Sequence, residues 1–226
     1  MLLEINDVLA ADEVRAARIQ LEAATWFDGR ATAGHLAAGV KQNLQLAPDD
    51  ALAVRLGDGI IERLGKRAEF IAAALPLKVL PPHFNRYEGG GTYANHIDNA
   101  IRTIPGTPHR VRTDISATLF LSDPDEYDGG ELVIEDTYGT QRVKQRAGSL
   151  VLYPGSSLHR VTPVTRGVRY AAFFWVQSLV RDATRRALLL QLDSSIRELT
   201  LAARGHAALD QLTGVYHNLL RQWSET

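Results

Sequence analysis

From Asp12 to Ala24 the chain reads DEVRAARIQLEAA, with acids in the first turn and few helix breakers, and this predicts a helix that Gly29 and Gly34 close off. A strand-like segment precedes it. A second helical stretch opens behind Pro48-Asp49-Asp50, where an aspartate can cap, and runs to about Leu75 with a break near Gly65. Pro76, Pro81 and Pro82 then interrupt any helix. From Val79 to about Gln177 the texture changes to short apolar or alternating runs, HFNRYE, SATLFLS, GELVIED, GSLVLYP and RYAAFFWVQ, separated by GGG, SDPDEYDGG, DTYG and PGSS. Many short strands in a row predict an antiparallel barrel or jelly roll, not alternating strand-helix units. Beyond Ser178 helical spacing returns with Leu188, Leu192, Ile196 and Leu199, and Gly205 separates a last helix containing Leu209, Leu212, Tyr216, Leu219 and Leu220. The predicted class is α+β, with three regions: a mainly helical support over 1–77, a β core over 78–178 and a helical end over 179–226. The apolar faces of the last helices need a partner surface, either the barrel or a second subunit of a homodimer.

Composition narrows what this β core can do. At 226 residues the chain holds one well-buried catalytic core and is too short for two large domains. A formal net charge of -1 gives no field to attract nucleic acid or anionic lipid. The absence of cysteine excludes disulfides, thiolate zinc sites and a cysteine nucleophile, so any metal must be held by nitrogen and oxygen. The start, MLLEIN, lacks a basic region followed by a long apolar one, and no later stretch is apolar over a membrane-spanning length, so the expected location is the cytoplasm.

Three of the seven histidines and their neighbours bear on chemistry. His96 and Asp98 flank Ile97, and on an extended segment residues two apart point to the same side, so imidazole and carboxylate converge. His159, in LYPGSSLHRVTP, is a third candidate that a jelly roll can bring beside the first two. Two histidines and one carboxylate on one face are the arrangement of non-haem iron(II) in oxygen-activating enzymes. A histidine and an aspartate two apart also occur by chance, serving turn or core hydrogen bonds. Arg169 follows His159 by ten residues, within apolar GVRYAAFFWVQ, and a buried arginine demands an anion: a ligand carboxylate or an interior Asp or Glu. Gly89-Gly90-Gly91 precedes no evident helix, which predicts a loop over the site and argues against a phosphate cradle. The stretch Ala100 to Arg112, with Pro105, Gly106 and Pro108, is a candidate substrate rim in which His109 faces solvent or substrate. His35, His83, His206 and His217 have no partner spacing.

The block FNRYEGGGTYANHID, the DGGELVI turn, the LYPGSSLHRVTPV segment and the RYAAFFWVQSLVRD strand resemble the PKHD-type hydroxylases, bacterial relatives of the prolyl 4-hydroxylase catalytic domain. The similarity runs over nearly the whole chain, including VKQNLQL and the carboxy-terminal helices. The resemblance implies a double-stranded β-helix (jelly-roll) core binding one Fe(II) through His96, Asp98 and His159, with Arg169 binding 2-oxoglutarate and L-ascorbate keeping the iron reduced. It also implies a dioxygenase that hydroxylates an aliphatic carbon of an unidentified primary substrate while 2-oxoglutarate becomes succinate and CO2. Tyr87, nine residues before His96, matches a tyrosine that donates to 2-oxoglutarate in the wider prolyl hydroxylase group, although a core tyrosine bonded to backbone fits equally. Two rival classes stay open on the residues themselves: a non-catalytic jelly-roll module, and a zinc-dependent cupin-like enzyme for which the same three ligands suffice.

Overall fold

The computed structural model describes residues 2–32, 39–104, 106–136 and 139–225; Gly34, His35, Pro105 and the centre of the DTYG turn lie outside the described residues. The first helix, α1 (Ala11–Glu22), starts where the Ala10 N–H donates to the Glu13 carboxylate at 2.9 Å, and it ends well before Gly29. The second stretch divides as its sequence predicts, into α2 (Ala51–Gly65), whose first turn is capped by Asp50 accepting from Leu52 N–H at 2.7 Å, and α3 (Ala68–Ala74). Leu75 closes α3 in the left-handed region, at φ 43°, and Pro76 turns the chain into the β core.

The strands are β1 (Leu3–Ile5), β2 (Phe27–Asp28), β3 (Lys41–Gln42), β4 (Leu44–Gln45), β5 (Pro76–Val79), β6 (His83–Tyr87), β7 (Thr92–His96), β8 (Ile101–Thr103) and β9 (Arg110–Arg112). They continue as β10 (Ile115–Phe120), β11 (Tyr127–Gly129), β12 (Leu132–Asp136), β13 (Gly139–Val143), β14 (Leu150–Pro154), β15 (Leu158–Val161), β16 (Val164–Gly167) and β17 (Arg169–Ser178). The larger sheet runs β1-β14-β10-β17-β6-β4-β2, with β5 also on β17; the smaller runs β13-β12-β15-β7-β3, and β8–β9 and β11–β16 form two-stranded pairs. Every described pairing is antiparallel, and the two sheets face each other across a cavity as a jelly roll. Strands from the first 77 residues join both sheets, through β1 and β4 on one and β3 on the other.

The pleat explains why the larger sheet carries such apolar runs. Ile115, Ala117 and Leu119 of β10, Leu150 and Leu152 of β14, and Tyr170, Ala172, Phe174 and Val176 of β17 all enter one core with Val14, Leu21, Ile60, Leu64 and Phe70 of the helices. The alternate positions, Ser116, Thr118, Tyr153, Arg169, Phe173 and Trp175, line the cavity between the sheets. Both faces are buried, so the helices fix the register from outside and leave the inner face for polar groups.

At the carboxy end, α4 (Ala183–Ala202), capped by Asp182, and α5 (Ala208–Trp223) pack back on the barrel. Leu75, Val180 and Leu189 form a buried cluster with Tyr216, Leu219, Leu220 and Trp223. The seam is not quite the expected one: Leu188 is 51% exposed whereas Leu189 is fully buried and Leu190 meets the main core. Arg186, which is buried and donates to the Val180 and Arg181 carbonyls, sets this phase of the helix three residues before Leu189. The Gly89-Gly90-Gly91 segment also differs from a loop over the site. It is a turn between β6 and β7, pinned to Val164 by Gly90 N–H to Val164 O (2.8 Å) and Val164 N–H to Gly91 O (3.0 Å), and it lines no part of the inter-sheet cavity.

Candidate active site

His96 ends β7 and His159 sits on β15, and the two strands pair so that their Cα atoms are direct partners. Asp98 follows two residues beyond His96. His96 Nε2 lies 4.0 Å from Asp98 Oδ1, His159 Nε2 lies 3.8 Å from Asp98 Oδ2, and one ligand atom from each residue falls within 4.8 Å of the others. Each imidazole is oriented from behind. His96 Nδ1 is 2.8 Å from the Ala94 carbonyl and His159 Nδ1 is 3.0 Å from that of Ser157. A carbonyl only accepts, so each Nδ1 carries the proton and each Nε2 presents its lone pair to the centre. Burial, followed by the neighbouring His159, holds His96 down to about 4, so its ring is neutral at pH 7 as a metal ligand must be.

Three further groups hold the arrangement. Ser116 Oγ donates to Asp98 Oδ2 at 2.6 Å, which aims the other carboxylate oxygen inward. Tyr93 stacks on His96, with ring centroids 3.6 Å apart and planes at 18°, and Tyr153 meets His159 edge-on at 5.0 Å. The Tyr93 contact depends on a bulge: three residues from Tyr93 to His96 oppose two from Val161 to His159, which turns the tyrosine ring against the imidazole.

Arg169, at the start of β17, is 1% exposed, and none of its three guanidinium nitrogens has a hydrogen-bond partner among the described residues. It forms no ion pair with an interior Asp or Glu there, so the structural salt bridge that the sequence left open is not made. Its Cζ lies 5.3 Å from the ring centroids of both Tyr87 and Phe120, a cation between two aromatic faces. Tyr87 pairs in register with Arg169, its hydroxyl accepts from Asn85 Nδ2 at 3.3 Å, and burial pushes its pKa up to about 12 against the opposing effect of the arginine. The Tyr127 hydroxyl and Asn85 Oδ1 are likewise buried without partners. Buried polar groups are expensive to leave unmatched, and here they gather around one cation at the bottom of a cavity.

That cavity contains the histidines, Asp98, Tyr87 and Arg169 together. It also contains Lys41, Arg102, Trp175 and Ser116, which sequence reasoning did not select. None of these carries a local motif, and each arrives from a different element. His109 lies exposed on the β8–β9 tip, and His83 stacks on Phe173. His206 and His217 lie on the carboxy-terminal segment, outside the cavity wall.

The donor set suits a single N/O-liganded ion, and the unpartnered arginine suits a dianionic chelate lying beyond it. The sequence profile of the 2OG-Fe(II) oxygenase superfamily matches residues 82–177, and that of the PKHD-type hydroxylase C-terminal domain matches residues 182–225. In fold the chain is similar to a Pseudomonas putida prolyl-4-hydroxylase, with a TM-score of 0.53 and 22% identity over 78% of this chain and 92% of that one. Fold and site therefore define an oxidoreductase of the 2OG-Fe(II) oxygenase superfamily, with iron(II) and 2-oxoglutarate as the cofactor and cosubstrate of its class. Within that class the chain belongs to the PKHD-type hydroxylases: it is 62% identical to the member from Parvibaculum lavamentivorans and 59% identical to that from Delftia acidovorans, each match covering 100% of both chains. Membership decides for an enzyme of this class over a ligand-binding jelly roll or a zinc-dependent cupin-like protein. No described helix is long and apolar enough to cross a membrane.

Proposed function

We propose that this protein hydroxylates an aliphatic carbon of a small molecule or peptide, with His96, Asp98 and His159 holding iron(II) and Arg169 gripping the far carboxylate of 2-oxoglutarate. The observation that carries the reading is a buried, unpartnered guanidinium sharing one cavity with a two-histidine, one-carboxylate cluster. When bound, iron(II) and 2-oxoglutarate supply the oxidation: decarboxylation of the keto acid to succinate and CO2 gives two of the four electrons dioxygen accepts, the substrate C–H bond gives the other two, and carbon gains a hydroxyl group. The chain's own task is placement. Arg169 offers two parallel N–H donors to a carboxylate, and Tyr87, whose phenol stays protonated, is a second donor beside it. Ser116 and the two backbone carbonyls keep the three ligands aimed at one point. Phe173 and Trp175 close an apolar wall that limits water in the cavity. L-ascorbate supports turnover by returning oxidised iron to the ferrous state. The primary substrate is a prolyl residue in a protein, a free amino acid or an iron-scavenging small molecule.

Anaerobic titration is expected to give one iron per chain, and His96→Ala, Asp98→Ala and His159→Ala are each expected to weaken binding at least tenfold. Succinate release over a panel of metabolites and peptides identifies the substrate. Undiminished iron affinity in all three variants refutes the ligand assignment.

A further inference from the structure

Arg102 stands on β8, within the rim stretch, and its guanidinium lies over the Trp175 ring, with Cζ 3.8 Å from the centroid. The platform is rigid. Trp175 is 4% exposed and is braced edge-on by Phe173, at 5.5 Å and 87°, and by His83, at 5.9 Å and 68°. Stacking uses the face of a guanidinium and leaves its N–H edge free. Among the described residues, Arg102 has no hydrogen bond and no carboxylate within ion-pair distance, and burial lowers its pKa, a sign that its charge is held out of water at a cost.

Its position separates it from the proposed 2-oxoglutarate site. Trp175 and Arg169 occupy the same face of β17 six residues apart, which is ~20 Å of strand. Trp175 is the register partner of Ser116, the residue that bonds Asp98, so the Arg102 platform flanks the metal cluster on the Asp98 side while Arg169 lies toward the far end. One short dicarboxylate cannot engage both. Charge points the same way. Asp98 is the sole acid among the described residues lining the cavity. With iron(II) bound, Asp98 and a dianionic 2-oxoglutarate cancel the metal and Arg169, and the charge of Arg102 is left over.

We infer that the primary substrate of this hydroxylase carries a carboxylate, and that Arg102, stacked on Trp175, is the specificity-determining residue that binds it at the mouth of the cavity. The inference rests on the proposed assignment of 2-oxoglutarate to Arg169. The planar fork matches a planar oxyanion through two parallel hydrogen bonds. It fixes one end of the substrate while the carbon to be oxidised reaches the metal cluster. A neutral molecule of the same shape would leave the guanidinium desolvated and unpaired, so the site rejects it.

The test uses anaerobic Fe(II)-loaded protein saturated with 2-oxoglutarate, and two matched fragment pairs, benzoate with benzamide and hexanoate with hexanamide, followed by saturation-transfer NMR at millimolar concentration. Wild type is expected to retain the acids over the amides. Arg102→Gln should reduce acid binding roughly ten- to a hundredfold, with Arg102→Lys recovering part of it and both variants still forming the visible band of iron-chelated 2-oxoglutarate. Three results overturn the inference: acid and amide retained equally, or neither retained, by wild type; acid retention undiminished in Arg102→Gln; or loss of the 2-oxoglutarate band in Arg102→Gln. Failure of the band in wild type itself strikes instead at the assignment of 2-oxoglutarate, and the inference falls with it.

Discussion

Replacing Arg169 with alanine should abolish tight 2-oxoglutarate binding while leaving both the iron and the fold in place. The side chain is 1% exposed and, among the described residues, no carboxylate pairs with it, so truncation breaks no internal ion pair. What is lost is packing of the stem and of the guanidinium between Tyr87 and Phe120; what is gained is relief of a buried, uncompensated charge. These oppose each other, and the melting temperature of the ligand-free variant should stay within a few degrees of wild type. The bound state is another matter. Leaving a buried carboxylate without its cation costs on the order of 3 to 5 kcal/mol, or roughly two to four powers of ten in affinity. At a 2-oxoglutarate concentration a hundred times Kd, wild type gains about 2.7 kcal/mol, which for a chain of this length raises the melting temperature by roughly 5 to 10 °C. The alanine variant should keep at most about 1 to 2 °C of that shift at the same concentration, and lysine should restore only part, because an ammonium lacks the planar fork. Anaerobic titration of Fe(II)-loaded protein, read from the metal-to-ligand charge-transfer band and from thermal melts, measures both quantities. An unchanged affinity refutes the reasoning and shifts the role to another cation. Loss of iron or a collapse of ligand-free stability means that the arginine is structural.

Further perturbations probe the scaffold around the site. Gly130→Ala should cost about 1–3 kcal/mol and weaken 2-oxoglutarate binding with iron retained, because φ is +62° there and a Cβ would lie 2.8 Å from Tyr127 and 3.0 Å from the Arg169 stem; melts and the charge-transfer titration check it. His83 is held down to about 4 by burial, with Arg102 and Lys41 adding to the effect, from an ordinary value of 6.5. As pH falls through 6.5 the unfolded chain takes up a proton that the folded chain refuses, so stability is lost between about 6.5 and 4, by no more than about 3 kcal/mol. His83→Phe keeps the stack on Phe173 and should flatten that part of the urea-midpoint profile; a profile as steep as wild type would exclude His83 as its source. Truncation after Val180 strips the cover from Leu75 and Val180 and removes the Glu225–Arg112 ion pair at 3.0 Å. A loss on the order of 5 kcal/mol is expected from the apolar area exposed, and a truncated chain with an unaltered urea midpoint would show that these helices do not support the barrel.

Much of the architecture was legible in the linear order because it depends on neighbours a few residues apart. The Asp50 cap, the acidic first turn of α1, the break between α2 and α3, and five of the central strands each rest on local spacing. So does the pairing of His96 with Asp98, two residues apart on an extended segment. His159 and Arg169 could be chosen because a metal needs a third ligand and a buried cation needs an anion, demands that hold before the fold is known. The short strands β2, β3, β4, β8, β9, β11 and β16 were not legible. With two to four residues they carry no periodicity of their own, and their partners across the sheet supply their hydrogen bonds. The seam of α4 was misjudged between Leu188 and Leu189 for a related reason: a helix of mixed composition has more than one plausible face, and Arg186 bonded to the Val180 carbonyl selects among them.

Read alone, the sequence pointed to an α+β chain with a His-Asp-His candidate metal cluster and an arginine in want of an anion. Only the tertiary structure decided that Ser116 steadies Asp98, that Tyr93 is bulged against His96, and that Arg102 lies over Trp175 within the same cavity. Arg102 and Trp175 come from β8 and β17, distant strands that share no motif. Their meeting is set by the order in which the strands pair, and that order is chosen by burial summed over the whole core, which no short stretch of sequence contains.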